Sequence, residues 1–214
     1  MTVEMKSITD SIVKGDLEEA KKLVEQAVEE GVSPDEIVTQ GLIVGMETVG
    51  EKWKCDEMFL PEVLRSASTM SKAMDIVRKD LSDTVTNMAG TMVIGTVEGD
   101  LHDIGKDLAG MIFEGAGYKV VNIGIDQPNE KFVEAVKEHK PDLLGISALL
   151  TTTMPRMGEV INSLKEAGIR DEVAVIIGGA PVTQEFADSI GADIYAPNAR
   201  SGVDRAQAYF KNIA

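Results

Sequence analysis

The chain is poor in residues that cross-link a protein or give it positive charge. A single cysteine, Cys55, stands in 214 residues, so no internal disulfide framework can form. There are only two histidines, His102 and His139, and aromatic residues make up 4% of the chain. Lys and Arg number 21 against 36 Asp and Glu; the formal net charge of -15 would repel phosphates and argues against nucleic acid as a partner. No run approaches the roughly 20 apolar residues that a membrane span needs, so no membrane partner is expected. The opening "MTVEMKSITD" lacks an apolar signal core, and the expected address is cytoplasmic. With 43% hydrophobic and 27% charged residues, the composition is that of a globular protein long enough for two units.

The apolar rhythm changes once. Over residues 1–88 it is helical throughout, which predicts a helical bundle. "GDLEEAKKLVEQAVEEG" lines up Leu17, Ala20, Leu23, Val24, Ala27 and Val28, with Asp16 at its start and Gly31 as its stop. "SPDEIVTQGLIVGMETVGEKW" begins with Ser33 as N-cap and Pro34 in the first turn, and carries Ile37, Leu42 and Met46 inward. "FLPEVLRSASTMSKAMDIVRKDL" continues through Val63, Leu64, Ala67, Met70, Ala73, Met74 and Val77. The polar stretch Ser82–Gly90 reads as a linker and hinge.

Over residues 89–214, short β-rich runs alternate with helical segments. The predicted strands are "TMVIGTV", "KVVNIG", "LLGIS", "VAVIIGG" and "DIYAP". The predicted helices are Ile104–Ala116, Glu130–His139, Arg156–Glu166, Gln184–Ile190 and Val203–Asn212. This alternation predicts an α/β, flavodoxin-like (Rossmann-type) five-stranded parallel sheet, with strand order 2-1-3-4-5.

In such a sheet, ligands bind beyond the carboxyl ends of the strands, at the topological switch point. Asp100 and His102 follow the first strand, Ser147 ends the third, and Gly178 and Gly179 end the fourth. Each has an ordinary reading. The glycines suit turns, Ser147 and Thr151–Thr153 suit a helix cap, and His102 taken alone suits a loop. A phosphate cradle fits poorly, because "GDLHDIG" puts Asp100 and Asp103 where bare amides are wanted. A catalytic serine lacks its strained turn, and zinc would need more ligands than one loop offers. An imidazole bound to a metal carried in an organic macrocycle fits, with Asp100 accepting the second ring N–H.

"GDLHDIG", "SALLTTT" and "IIGG" resemble the cobalamin-binding segments of methyltransferase corrinoid proteins and methionine synthase. "VGEKWKCDEMFLPEVLRSASTMSKAM" resembles the helical cap of methionine synthase, and the likeness runs from about Ile37 to Phe210. The resemblance implies cobalamin (methylcobalamin/cob(I)alamin) bound base-off, with its nucleotide tail in the sheet and His102 as lower axial ligand to cobalt. Asp100 and Thr153 complete a triad behind it, with threonine where methionine synthase has serine. Gly99, Asp103, Ile104 and Gly105 belong to the same loop. The resemblance implies that Ser147, Leu149 and Thr151 line the channel of the tail, that Gly178 and Gly179 let it pass, and that Ala199 closes the far side of the ring. Trp53 and Leu60 map onto the cap pair over the upper corrin face. Trp53 reads equally as an anchor of the bundle, and Phe59 and the Met70–Met74 stripe read as core. His139 reads as surface.

The implied function is that of a methyl carrier between a substrate-specific methyltransferase and a tetrahydrofolate or thiol methyltransferase, with a reductive activator as further partner. On that reading the chain is a subunit without a complete active site of its own. A cobalamin-dependent isomerase subunit and a cobalamin-based sensor are the alternatives.

Overall fold

The computed structural model describes residues 3–80 and 89–213. The chain divides into two compact units: Met1–Ala89 with Glu114–Tyr118, and Gly90–Phe113 with Lys119–Ala214. Most of the predicted linker, residues 82–88, lies outside the described residues.

The first unit is built on α1 (Met5–Lys14), α2 (Leu17–Glu29), α3 (Pro34–Glu36), α4 (Ile43–Lys54) and α5 (Leu60–Val77). The predicted caps form: Asp16 Oδ1 accepts the Glu19 N–H at 3.2 Å, and Ser33 Oγ accepts that of Glu36 at 3.2 Å. Gly31 takes φ +81° beyond the end of α2. The first helix, α1, was not expected, although Met5, Ile8, Ile12 and Val13 recur at helical spacing and all pack in or against the helical core. Between α3 and α4 the helix widens into a π segment, Ile37–Leu42. Glycines let α1 come close here: a Cβ on Gly41 would lie 3.0 Å from Ile8 Cγ2, and one on Gly45 2.8 Å from Ile12 Cβ.

Ile37, Leu42, Met46, Val63, Ala67, Met70, Ala73 and Val77 all lie in the helical core. Two expectations fail. Val28 is 40% exposed, because Ala20, Val24 and Ala27 already fill the inward stripe of α2 and Val28 lies a further 100° around it. Phe59 is 68% exposed rather than core. It precedes α5, outside the helical period, and its backbone N–H is held by Glu62 Oε2 at 2.8 Å. Leu60 is also exposed, while Trp53 is half-buried and packs against the helical core.

The second unit holds a five-stranded parallel sheet of order β2-β1-β3-β4-β5. The strands are β1 (Thr91–Val97), β2 (Lys119–Gln127), β3 (Leu143–Ser147), β4 (Ala174–Gly178) and β5 (Ile194–Ala196). Between and after them come α6 (Ile104–Gly115), α7 (Asn129–His139), α8 (Met154–Glu166), α9 (Gln184–Ile190) and α10 (Ala199–Ile213). Several bounds depart from expectation. β2 runs on to Gln127, α8 starts at Met154 and α10 starts at Ala199, while β4 and β5 are each two residues shorter than predicted. His139 is part-exposed near the surface, 4.0 Å from Glu138.

The two faces of this sheet have different fates, because side chains alternate along a strand. Val93, Leu144, Ile146, Val175 and Ile177 join Phe132, Met157 and Ile161 in a filled core with α7 and α8. The alternate positions Met92, Ile94, Gly145, Ile176 and Gly178 face a cleft. At its upper edge, register aligns Thr96 with Ser147, Ser147 with Gly178, and Gly178 with Ala196. No described helix is long and apolar enough to cross a membrane.

Candidate cofactor site

After β1 the chain turns through Gly99, at φ +80°, and delivers Asp100 into the interior, where it is fully buried. A buried carboxylate is tolerable only with its lone pairs satisfied. Here Oδ1 receives His102 Nδ1 at 2.6 Å and the His102 backbone N–H at 3.2 Å. Oδ2 receives the Thr153 hydroxyl and the Leu149 N–H, both at 2.7 Å, and the Leu150 N–H at 3.3 Å. Burial alone would raise the Asp100 pKa. The bonds from Thr153, Leu149 and His102 together outweigh it and hold the carboxyl well below the usual carboxylate range.

An ionised carboxylate can only accept, so the proton between it and His102 sits on Nδ1. In the neutral ring the lone pair is then on Nε2, on a side chain 50% exposed. This is a ligand nitrogen with its tautomer fixed from behind. Thr153 is the N-cap residue of α8, yet its hydroxyl makes no cap bond. That hydroxyl is turned instead to Asp100, across 53 residues of sequence.

His102 stands at the rim of a cleft of about 520 Å³, lined mainly by apolar side chains and glycines. His102, Asp103, Ile104, Gly105, Ser147, Leu149, Gly178, Gly179 and Ala199, all expected site residues, line it. Asp100 and Thr153 are buried behind the rim, and Gly99 precedes them. Thr151 is exposed and lies outside the lining. Trp53 and Leu60 belong to the other unit.

The glycines divide by what surrounds them. A Cβ on Gly179, at φ +142°, would fall 1.8 Å from the Ala148 carbonyl oxygen, and one on Gly178 3.0 Å from that of Ala196. The chain itself therefore requires Gly179, whatever passes through the cleft. Gly105 differs, since a Cβ there would meet nothing within 4 Å beyond its chain neighbours and its own helix backbone. Its bareness leaves room in the cleft that His102 also lines.

Sequence reasoning missed the floor of the cleft. Gly145 and Ile176 lay within predicted strands and Phe113 within a predicted helix, none of them singled out; alternation along β3 and β4 was the available signal. It also missed Lys106, buried in the wall, whose ammonium pairs with Asp107 and donates to Asn122 Oδ1 at 2.8 Å. That contact and Asn122 hold Asp107 below the usual carboxylate range. Among the described residues, no three His, Cys, Asp or Glu side chains group as a metal site. A lone imidazole beside an apolar cleft suits a metal that arrives inside a larger organic ligand.

Two B12 binding domain models match the chain, one over residues 90–204 and one over residues 5–78. Trimethylamine corrinoid protein 1 of Methanosarcina acetivorans is 43% identical over 201 residues, 93% of each chain. This chain belongs to the methyltransferase corrinoid proteins. Dimethylamine corrinoid protein 2 of the same organism is 42% identical, over 95% of this chain and 94% of that one. Among solved structures, the methanol:cobalamin methyltransferase complex of Methanosarcina barkeri holds a chain 31% identical. The match has a TM-score of 0.88 and covers 97% of this chain and 79% of that one. As a corrinoid protein, the chain binds cobalamin. The cleft suits such a ligand: its volume lies within the range of about 300–1,000 Å³ of cofactor pockets, its lining is mainly apolar, and both Gly105, with open space over it, and the His102 imidazole line it.

Proposed function

We propose that this corrinoid protein carries methyl groups between two protein partners, with His102 as the lower axial ligand of base-off cobalamin. The observation that carries the reading is the 2.6 Å contact of His102 Nδ1 with Asp100 Oδ1, which leaves Nε2 unpaired at the mouth of the cleft. When bound, cobalamin supplies a cobalt centre able to take a methyl group from one partner and yield it to another. Gly99, Asp103, Ile104 and Gly105 hold the rim, and Ser147, Leu149, Gly178 and Gly179 accommodate the nucleotide tail. Ala199 flanks it on the far side.

His102 would hold the cobalt through Nε2, and Asp100 would keep the ring oriented behind it through Nδ1. The Thr153 hydroxyl and the Leu149 amide keep Asp100 ionised for that role. Trp53 and Leu60 of the helical unit are proposed to shelter the upper face of the cofactor.

The donor is proposed to be a methylated amine, in keeping with the relatives named for trimethylamine and dimethylamine. The partners are then an amine-specific methyltransferase, an acceptor methyltransferase acting on tetrahydrofolate or a thiol, and a reductive activator. Reconstitution with hydroxocobalamin tests the ligand assignment. The native chain is expected to give a base-off, histidine-ligated spectrum, and His102→Ala to lose it. Equal spectra would remove His102 from the metal. Transfer from a methylamine, assayed with purified methyltransferases, tests the carrier role. No turnover with any methylated amine would reject the donor class.

A further inference from the structure

The triad holds the His102 ring and, through Asp100 Oδ1, the His102 N–H, but it leaves the Gly99 N–H and the Asp100 and His102 carbonyls to other groups. The loop of residues 98–103 leaves β1 with its Gly99, Leu101 and His102 residues exposed, so a ring 50% exposed sits on a segment with little packing of its own. Two side chains outside the triad fix that backbone. Asp126 Oδ1 accepts the Gly99 N–H at 2.7 Å, and the Asp126 N–H donates to the Asp100 carbonyl at 3.1 Å. At the other end, the buried Thr96 hydroxyl donates to the His102 carbonyl at 3.0 Å.

Asp126 makes these bonds from an uncommon conformation. Its φ is +53°, in the left-handed region that costs an L-residue free energy and that Asp and Asn tolerate best. It comes into reach because β2 runs three residues past its expected end at Gly124, with register shifts against β1 on the way. A strained residue that grips both sides of the Gly99–Asp100 peptide is placed to set where the carboxylate points.

We propose that Asp126, assisted by Thr96, is a positioning residue for His102: it clamps the loop backbone so that Asp100 meets Nδ1 and Nε2 faces the metal. This inference rests on the axial-ligand reading above. If Asp126 did no more than fill a left-handed position, the forecast would differ. Glycine adopts φ +53° without strain, so Asp126→Gly would then leave the site unchanged.

The test uses the full chain in two states. Without cofactor, nitrogen NMR of the imidazole reports the Nδ1–H bonded to Asp100. This signal is expected to be sharp in the native chain and in Asp126→Asn, which keeps an acceptor oxygen. It is expected to broaden in Asp126→Gly. With cobalamin bound, the ratio of histidine-on to histidine-off spectra is expected to fall about fivefold to tenfold in Asp126→Gly, the scale of one lost hydrogen bond. A loss of about threefold is expected in Thr96→Val, which keeps the side-chain shape. If Asp126→Gly matches the native chain in both measurements while His102→Ala loses its signature, the clamp is idle and the inference is wrong. If His102→Ala keeps its signature, the axial reading fails, and the cofactor-free imidazole signal still decides whether Asp126 orders the loop. Should Asp126→Gly not fold, Thr96→Val decides, and a native ratio there overturns the proposal.

Discussion

The two units bury polar groups in opposite ways. In the helical unit the buried polar residues are hydroxyl-bearing: Ser11, Ser66 and Thr69. Ser11 Oγ donates to its own helix at the Ile8 carbonyl, 2.6 Å, and Ser66 Oγ to the Val13 carbonyl at 3.3 Å. In the α/β unit a carboxylate and an ammonium, Asp100 and Lys106, lie in the interior, each with partners from other segments. Burying a charge is costly unless it is fully bonded, so its presence marks where the fold serves chemistry rather than stability. The helical unit is held by apolar packing that many sequences could supply. The α/β unit spends part of its interior on fixing one imidazole.

The contrast can be broken most severely at Asp100. Asp100→Ala leaves several buried donors without an acceptor, and a loss of about 3–5 kcal/mol is expected in denaturant unfolding of the α/β unit. Asp100→Asn keeps the shape and should retain cobalamin while shifting the midpoint potential, read by potentiometric titration. An unshifted potential would detach Asp100 from the metal chemistry.

Two glycines of the same cleft give the next largest difference. Gly179→Ala drives a Cβ into the Ala148 carbonyl and should cost about 3 kcal/mol or more even without cofactor. Gly105→Ala meets open space inside a helix, so thermal melting of the cofactor-free chain should be unchanged or about 1 kcal/mol more stable, with weaker cobalamin retention. Equal retention by Gly105→Ala would mean that nothing approaches the rim there.

In the helical unit, Ile12→Ala should cost about 2–5 kcal/mol of unfolding free energy, yet leave the His102 imidazole resonance unmoved. The two units also part company in acid. The folded Asp100 carboxyl lies below its unfolded value, so its contribution is complete above the unfolded pKa of about 4 and drains away as pH falls below it. Asp100→Asn should flatten that acid limb in a stability-versus-pH series. The smallest effect is expected at a helix cap: Asp16→Ala should cost about 1 kcal/mol, confined to the helical unit.

Much of the fold was legible because its signals are local. The runs at Thr91–Val97 and Leu143–Ser147 are continuous apolar strands between turn residues, and the structure keeps those bounds. Where apolar spacing failed, another force decided. The helix α10 begins four residues before Val203, in "ARSG", where Ser201 and Gly202 hide it, and Asn198 Oδ1 caps it through the Ser201 N–H at 2.9 Å. Phe59 is large and apolar yet exposed, since hydrophobicity says what favours burial and not which side chain finds room. The halves of the triad differ in the same way. Asp100 and His102 are two residues apart, so their contact is a property of one turn; Thr153 reaches them only because β3 pairs beside β1.

By itself, then, the order of residues determined two things: a helical stretch followed by an alternating α/β stretch, and an aspartate–histidine pair at the end of the first strand. Both depend on periodicity or on neighbours along the chain. Only the tertiary structure decided that Thr153 turns from its helix to Asp100, that Gly179 yields to the Ala148 carbonyl while Gly105 borders open space, and that Asp126 grips the loop from a lengthened strand. Those outcomes depend on register and on sub-ångström clearances between segments remote in sequence. Strand pairing sets such distances, and no local pattern encodes them.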